Sequence, residues 1–166
     1  LFILSASHPS KELEWSYDGI DAAQETLERV ERLVEQTKDR FVDAEPSLDD
    51  ADIEDRIVAT RVQRGIQQVT TYNEKKHFHF AVDEIEKLVS KLYWYDERDA
   101  DPAVLTHGVK AVVRLLAPFA PHLADELWNR VDSGYLYEGG WPTFNESLLD
   151  ERAEAIDAYF DKVRGD

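Results

Sequence analysis

The 166-residue chain sets 35 Asp and Glu against 19 Lys and Arg, for a formal net charge of −16, with 43% hydrophobic residues and no cysteine. That length and hydrophobic share suit one domain with a real core; the missing thiols exclude disulfides, thiolate chemistry and cysteine-ligated zinc, and no apolar run reaches the roughly 18 residues of a bilayer span. A uniformly acidic surface repels phosphate backbones, but the acids recur in almost every periodic segment rather than in one tail, which argues against disorder and for a halophilic source, where molar salt cuts the screening length to about 3 Å.

Residues 1–18 read as a connector. Leu1-Phe-Ile-Leu4 lacks the basic start and the length of a secretion signal, there is no initiator methionine, and a Pro9-containing loop leads on to Trp15. The chain is therefore expected to begin inside a longer protein. From Ile20, the residues Ala23, Leu27, Val30, Val34 and Phe41 keep a spacing of three and four, with Thr37 in the remaining slot, predicting a long amphipathic helix that starts at Asp18-Gly19 and is stopped by Glu45-Pro46. Ser47-Leu-Asp-Asp50 offers caps for a second helix with buried face Val58, Val62, Ile66 and Val69, ending near Asn73. After the polar break Glu74-Lys-Lys-His77, a third stripe runs from Phe78 through Val82, Ile85, Leu88 and Val89 to Leu92. Asp101-Pro102 opens a fourth helix, Val104 to Leu116, that is apolar on nearly all sides and should be the most enclosed.

Two prolines three residues apart follow. Pro118 ends the fourth helix, because an interior proline removes a donor and clashes one turn back; Pro121 begins a fifth, where no donor is lost. Leu123, Ala124, Leu127, Trp128 and Val131 then face a core while Asp125, Glu126, Asn129 and Arg130 stay wet. Ser133 to Gly140 is a loop, and a last helix is expected from about Ser147 to Arg164, with Leu149, Ala153, Ile156, Phe160 and Val163 facing inward. Nothing alternates with period two for long enough to make a sheet. The fold class is all-α: an antiparallel helical bundle at 19–131, with residues 132–166 adding a loop and a C-terminal helical extension packed on it.

The text from Ala117 to Trp128, APFAPHLADELW, followed by Gly139-Gly-Trp-Pro142, together with Phe78-His-Phe-Ala-Val82 and the opening Leu1-Phe-Ile-Leu-Ser-Ala6 leading to Trp15, resembles the anticodon-binding helical domain of class I aminoacyl-tRNA synthetases, most closely the leucyl enzymes. The resemblance spans essentially the whole chain. It implies an ATP-dependent (with magnesium), cytoplasmic ligase that joins leucine to tRNA(Leu), with this segment as the non-catalytic part that docks the tRNA and packs on the enzyme's own catalytic core and C-terminal domain. Isoleucyl and valyl enzymes share the proline corner and remain alternatives. An acidic helical protein-interaction domain is the alternative from another class. The ATP-holding signature motifs of the family are absent from these residues, so no catalytic residue and no bound cofactor is expected here.

Candidate RNA contacts follow from charge and aromatic placement. Arg61, Arg64 and Gln68 stand at successive helical spacings beside the apolar face of the second helix and would form a ridge for phosphates, unless acids such as Glu54 and Asp55 pair with them. Lys75-Lys76-His77 is the densest basic run, at a helix junction. Within Tyr93-Trp94-Tyr95, Trp94 could stack an unpaired base, although at least one of the three rings should be packing. Arg114, alone in the most apolar helix, is expected in a buried or interface ion pair. His77 and His79 point to different sides of a helix without a third ligand, so no metal site is expected.

Overall fold

The computed structural model describes residues 1–5 and 17–164, and among these it holds seven α-helices and no strand. The expected loop at Pro9 and the Trp15 anchor lie outside the described residues. In chain order the helices are α1 (Phe2–Ser5), α2 (Tyr17–Thr37), α3 (Ile53–Glu74), α4 (Phe78–Asp96), α5 (Pro102–Leu116), α6 (Pro121–Val131) and α7 (Glu151–Arg164), with single 3-10 turns at Lys38–Arg40 and Glu146–Leu148.

Local chemistry sets the ends. Asp52 caps α3 through Oδ1, which accepts from the backbone N–H of Glu54 and Asp55 at 2.9 Å, while the Asp55 carboxylate accepts from the Asp52 N–H. These bonds satisfy donors that the first turn leaves free. Asp101 does the same for Ala103 and Val104 ahead of Pro102. At the corner, the N–H groups of Phe119 and Ala120 both donate to the Leu116 carbonyl, and Pro121 is the first residue of α6. Phe119 turns inward there and meets Phe78 edge-on, ring centres 6.3 Å apart.

The α3 and α4 pair forms the spine. Contacts run from Asp55 with Tyr95, through Arg61 with Glu84 and Gly65 beneath Leu88, to Tyr72 with Phe80, so the two helices lie antiparallel. Gly65 is required by this closeness, since a Cβ there would fall on the Leu88 side chain. Around the spine, α5 packs on α3, α4 and α6, and α2 covers α4, α5 and α6. Ten of the fifteen residues of α5 are buried, as its all-round apolarity predicts. Leu1 and Leu4 rest against the core, with α1 touching α2 and α4. Tyr95 is fully buried; its hydroxyl donates to Asp55 and accepts from the Asp101 N–H at 2.9 Å. Burial, then the Asp55 carboxylate, pushes that phenol above its usual value.

Several expectations need correction. The helix α2 stops at Thr37 rather than reaching Phe41. The buried Thr37 hydroxyl donates to the Leu33 carbonyl at 2.6 Å, a 3-10 turn follows, and Phe41 packs on the core from extended backbone. The last helix begins at Glu151, not Ser147. Leu148, not Leu149, fills the core from the preceding turn, and α7 inserts only Ala153 fully. Phe160 and Val163, expected inward, are 50% and 54% exposed. The sequence period located a stripe on α7, but only its first turns reach α3.

Candidate nucleic-acid interface

The residues expected to meet RNA divide between a cleft and a turn. Arg61, Arg64, Gln68 and Trp94 line one cleft of about 660 Å³ bounded by α3, α4 and α7. Lys75, Lys76 and His77 sit apart, at the turn between α3 and α4.

In the cleft the cations are engaged, though not by the acids that the sequence offered. Arg61 lies 2.6 Å from Glu84, which is buried on α4, rather than against Asp55. Gln68 abuts the same carboxylate, 3.0 and 3.1 Å from its two oxygens, where an amide nitrogen donates to both. Arg64 grips Glu154 of α7 with Nε and Nη2, each 2.9 Å from one oxygen, rather than pairing with Glu54. That two-pronged bond holds the Glu154 carboxyl below its ordinary pKa. Lys91 bonds Asp157 at 2.5 Å. Trp94 already carries Arg98 at 3.9 Å and Lys91 at 4.9 Å from its ring centre. The cleft is therefore a cross-helix ion-pair seam that fastens α7 to α3 and α4, with near-balanced charge and little free positive potential.

The turn is different. Lys75 closes α3, Lys76 adopts a left-handed φ of 58°, and both side chains are exposed without an ion pair among the described residues. Aromatic rings flank the turn in sequence and pack on one another. Tyr72 packs on Phe80 at 5.5 Å, His77 meets Phe80 at 6.0 Å and His79 at 6.4 Å, and Phe80 itself is 46% exposed. Tyr72 also borders a second hollow whose far side is Trp141; the indole N–H of Trp141 donates to the Thr70 hydroxyl at 2.7 Å. Free ammonium groups beside exposed rings suit a phosphate strand carrying unpaired bases. Sequence reasoning found the lysines. It missed Tyr72, Phe80 and Trp141 as their neighbours, although Trp141 stands in the quoted Gly-Gly-Trp-Pro text.

Elsewhere, Gln63 bridges α3 to α5 and to the segment before α7. Its Nε2 lies 2.9 Å from Nε2 of His107, and its Oε1 accepts from the Asn145 N–H at 2.8 Å. Burial holds the His107 imidazole below its usual pKa, in the neutral form that this bridge needs. No group of three or more His, Asp or Glu able to hold a metal gathers among the described residues, and no described helix is long and apolar enough to cross a membrane.

Residues 55–165 match the family profile described as the anticodon-binding domain of tRNA ligase. The chain belongs to this family. Its relatives include the Leucine--tRNA ligase of Halobacterium salinarum, 38% identical over 160 residues that make up 94% of this chain and 18% of the relative. The Leucine--tRNA ligase of Fusobacterium nucleatum is 32% identical over 175 residues, 99% of this chain and 20% of the relative. Among solved structures, the crystal structure of the ternary complex of Agrobacterium radiobacter K84 agnB2 LeuRS-tRNA-LeuAMS superposes with a TM-score of 0.82 and 35% identity, covering 90% of this chain and 19% of that one. The chain thus spans about a fifth of the length of the relatives it matches. In this chain the proline corner and the α3–α4 spine belong to the buried bundle, and Lys75 and Lys76 lie exposed at the α3–α4 turn.

Proposed function

We propose that this chain is the tRNA-docking domain of a leucyl-tRNA synthetase, a cytoplasmic enzyme that uses ATP with magnesium to esterify leucine to tRNA(Leu). The observation that carries it is the agreement, along 90% of the chain, with the helical domain of a leucyl enzyme solved together with tRNA. In this reading residues 1–18 lead in from the catalytic core, 19–131 form the docking bundle, and 132–166 add the loop and helix on its flank. Its contribution is positional: binding free energy gained far from the reacting atoms holds the acceptor end in register at a distant active site.

The Lys75-Lys76-His77 turn, with Phe80 and Tyr72 beside it, is the edge we assign first to the RNA backbone. The seam residues Arg61, Arg64 and Gln68, and the capped ring of Trp94, would join only if the RNA displaced their present partners. Molar salt screens the long-range repulsion from a charge of −16 but also weakens each lysine–phosphate contact, so binding there would lean on the rings beside the turn.

The test is retention of tRNA(Leu) and tRNA(Ile) transcripts by the full-length protein in molar potassium chloride, together with leucine and isoleucine charging. Preferential retention and charging of tRNA(Leu) is expected. Charging of tRNA(Ile) instead would overturn the leucine assignment, and absence of tRNA retention would overturn the docking role.

A further inference from the structure

Among the described residues, Arg114 is a half-buried guanidinium that has no carboxylate partner in a chain with 35 acids. It lies over Trp128, Cζ 4.5 Å from the ring centre, and its Nε is buried without a hydrogen-bond partner. The fold keeps room for it. A Cβ at Gly139 would strike the guanidinium, and Asp132, whose carboxylate feels the Arg114 charge, is bonded to Lys110 at 2.8 Å instead. Above it opens a pocket of about 250 Å³ walled by Pro118, Leu136, Gly140, Tyr137 and Trp141. Tyr137 is 67% exposed at the rim, and the family's proline corner supplies the floor.

We propose that this pocket receives a carboxylate-bearing side chain, flanked by an apolar one, from another segment of the same longer polypeptide. The inference rests on reading this chain as one domain of a ligase. Chemistry favours a peptide over RNA here. One guanidinium satisfies one carboxylate through paired N–H bonds, and Arg, Tyr and Trp are the residues that anchor protein interfaces. A phosphate strand needs a row of cations, whereas Glu138 and Asp132 border this loop. The apolar walls strip water from the ion pair and take up the flanking side chain.

The experiment is carbodiimide coupling in the full-length protein carrying Arg114→Lys, which keeps the cation on Trp128 and joins it to a touching carboxylate as an amide, with loss of water. A cross-link from position 114 to an Asp or Glu outside residues 1–166 is expected, its yield cut about fivefold by adding Tyr137→Ala. No link, or links only to Asp132 or Glu138, would overturn the proposal. In the protein with Arg114 intact, Tyr137→Ala alone should speed amide exchange of residues 133–142 about fivefold; unchanged exchange counts against it. If tRNA(Leu) abolishes the link and Tyr137→Ala weakens tRNA retention about tenfold, the occupant is RNA and the proposal fails. Loss of leucine charging would leave the cross-link untouched, so the two readings fail separately.

Discussion

Arg64 of α3 and Glu154 of α7 form a two-pronged ion pair, Nε and Nη2 each 2.9 Å from a carboxylate oxygen, and it spans 90 residues of sequence. With Lys91–Asp157 and with Arg56–Asp150 just ahead of the helix, it makes a series of ties that fasten α7 to the bundle. Both side chains of the pair remain about a third exposed or more, which limits its worth to the usual surface range.

Replacing Arg64 with Ala should therefore cost about 1 kcal/mol of global stability at most, but should free α7 locally. Amide exchange of residues 151–164 is expected to rise while that of α5 stays unchanged. The tie depends on pH in a fixed direction. Because Glu154 has its pKa lowered in the fold, its contribution is present above the ordinary carboxylate pKa and is lost as pH falls through the lower folded value. Exchange of α7 at neutral pH and in mild acid checks the sign.

The Gln63 bridge carries a second pH dependence. His107 binds a proton less readily in the fold than unfolded, so the unfolded state holds more protons below about pH 6.5 and stability falls as pH drops through that value toward the lower folded one. Once charged, both ring nitrogens donate, so the ring N–H faces the Gln63 Nε2 donor, and turning the amide to present Oε1 would give up the bond from Asn145. Thermal melts should show a lower midpoint at pH 5.5 than at pH 7, with the difference reduced in His107→Gln.

Substituting Gly65 with Ala tests the α3–α4 approach. The intruding methyl meets the Leu88 side chain, which is fully buried and has nowhere to go, so about 1–3 kcal/mol of stability should be lost. Denaturant titration measures it. Adding Leu88→Ala to Gly65→Ala should recover part of the steric cost, whereas additive losses would mean the helices are not in contact there.

At the turn, Lys75→Glu and Lys76→Glu should weaken tRNA binding and reduce its dependence on log salt by about one unit per lysine. Neither side chain packs on the core, so thermal midpoints should hardly move. Unaltered tRNA affinity in the double variant would remove the turn from the interface.

The helices were legible because their apolar residues recur at three and four. Val58, Val62, Ile66 and Val69 are all buried, as the spacing requires. On α7, where a similar stripe ran on to Phe160 and Val163, the spacing misled, since periodicity reports which side of a helix is apolar but not how far a neighbour extends along it. Charge partners were the least legible. Arg61 and Arg64 had acids two to three turns back on their own helix, yet the structure pairs them with Glu84 and Glu154, brought near only by tertiary packing. Glu84 looked ordinary in a chain rich in acids; being 3% exposed sets it apart, and no local pattern announces that. Tyr93-Trp94-Tyr95 divided as helix geometry demands, with Tyr95 inside and its two neighbours at the edge.

The reversal between α5 and α6 has a mechanical outcome. Leu116 accepts two backbone bonds across it, Phe119 is wedged against Phe78, and prolines 118 and 121 restrict the backbone on either side. An elbow so fastened bends little, so a pull on the segment beyond α6 is delivered to the centre of the bundle instead of being absorbed at the bend. The corner would then act as a lever arm, transmitting displacement of whatever docks outside it to the far ends of α3 and α4.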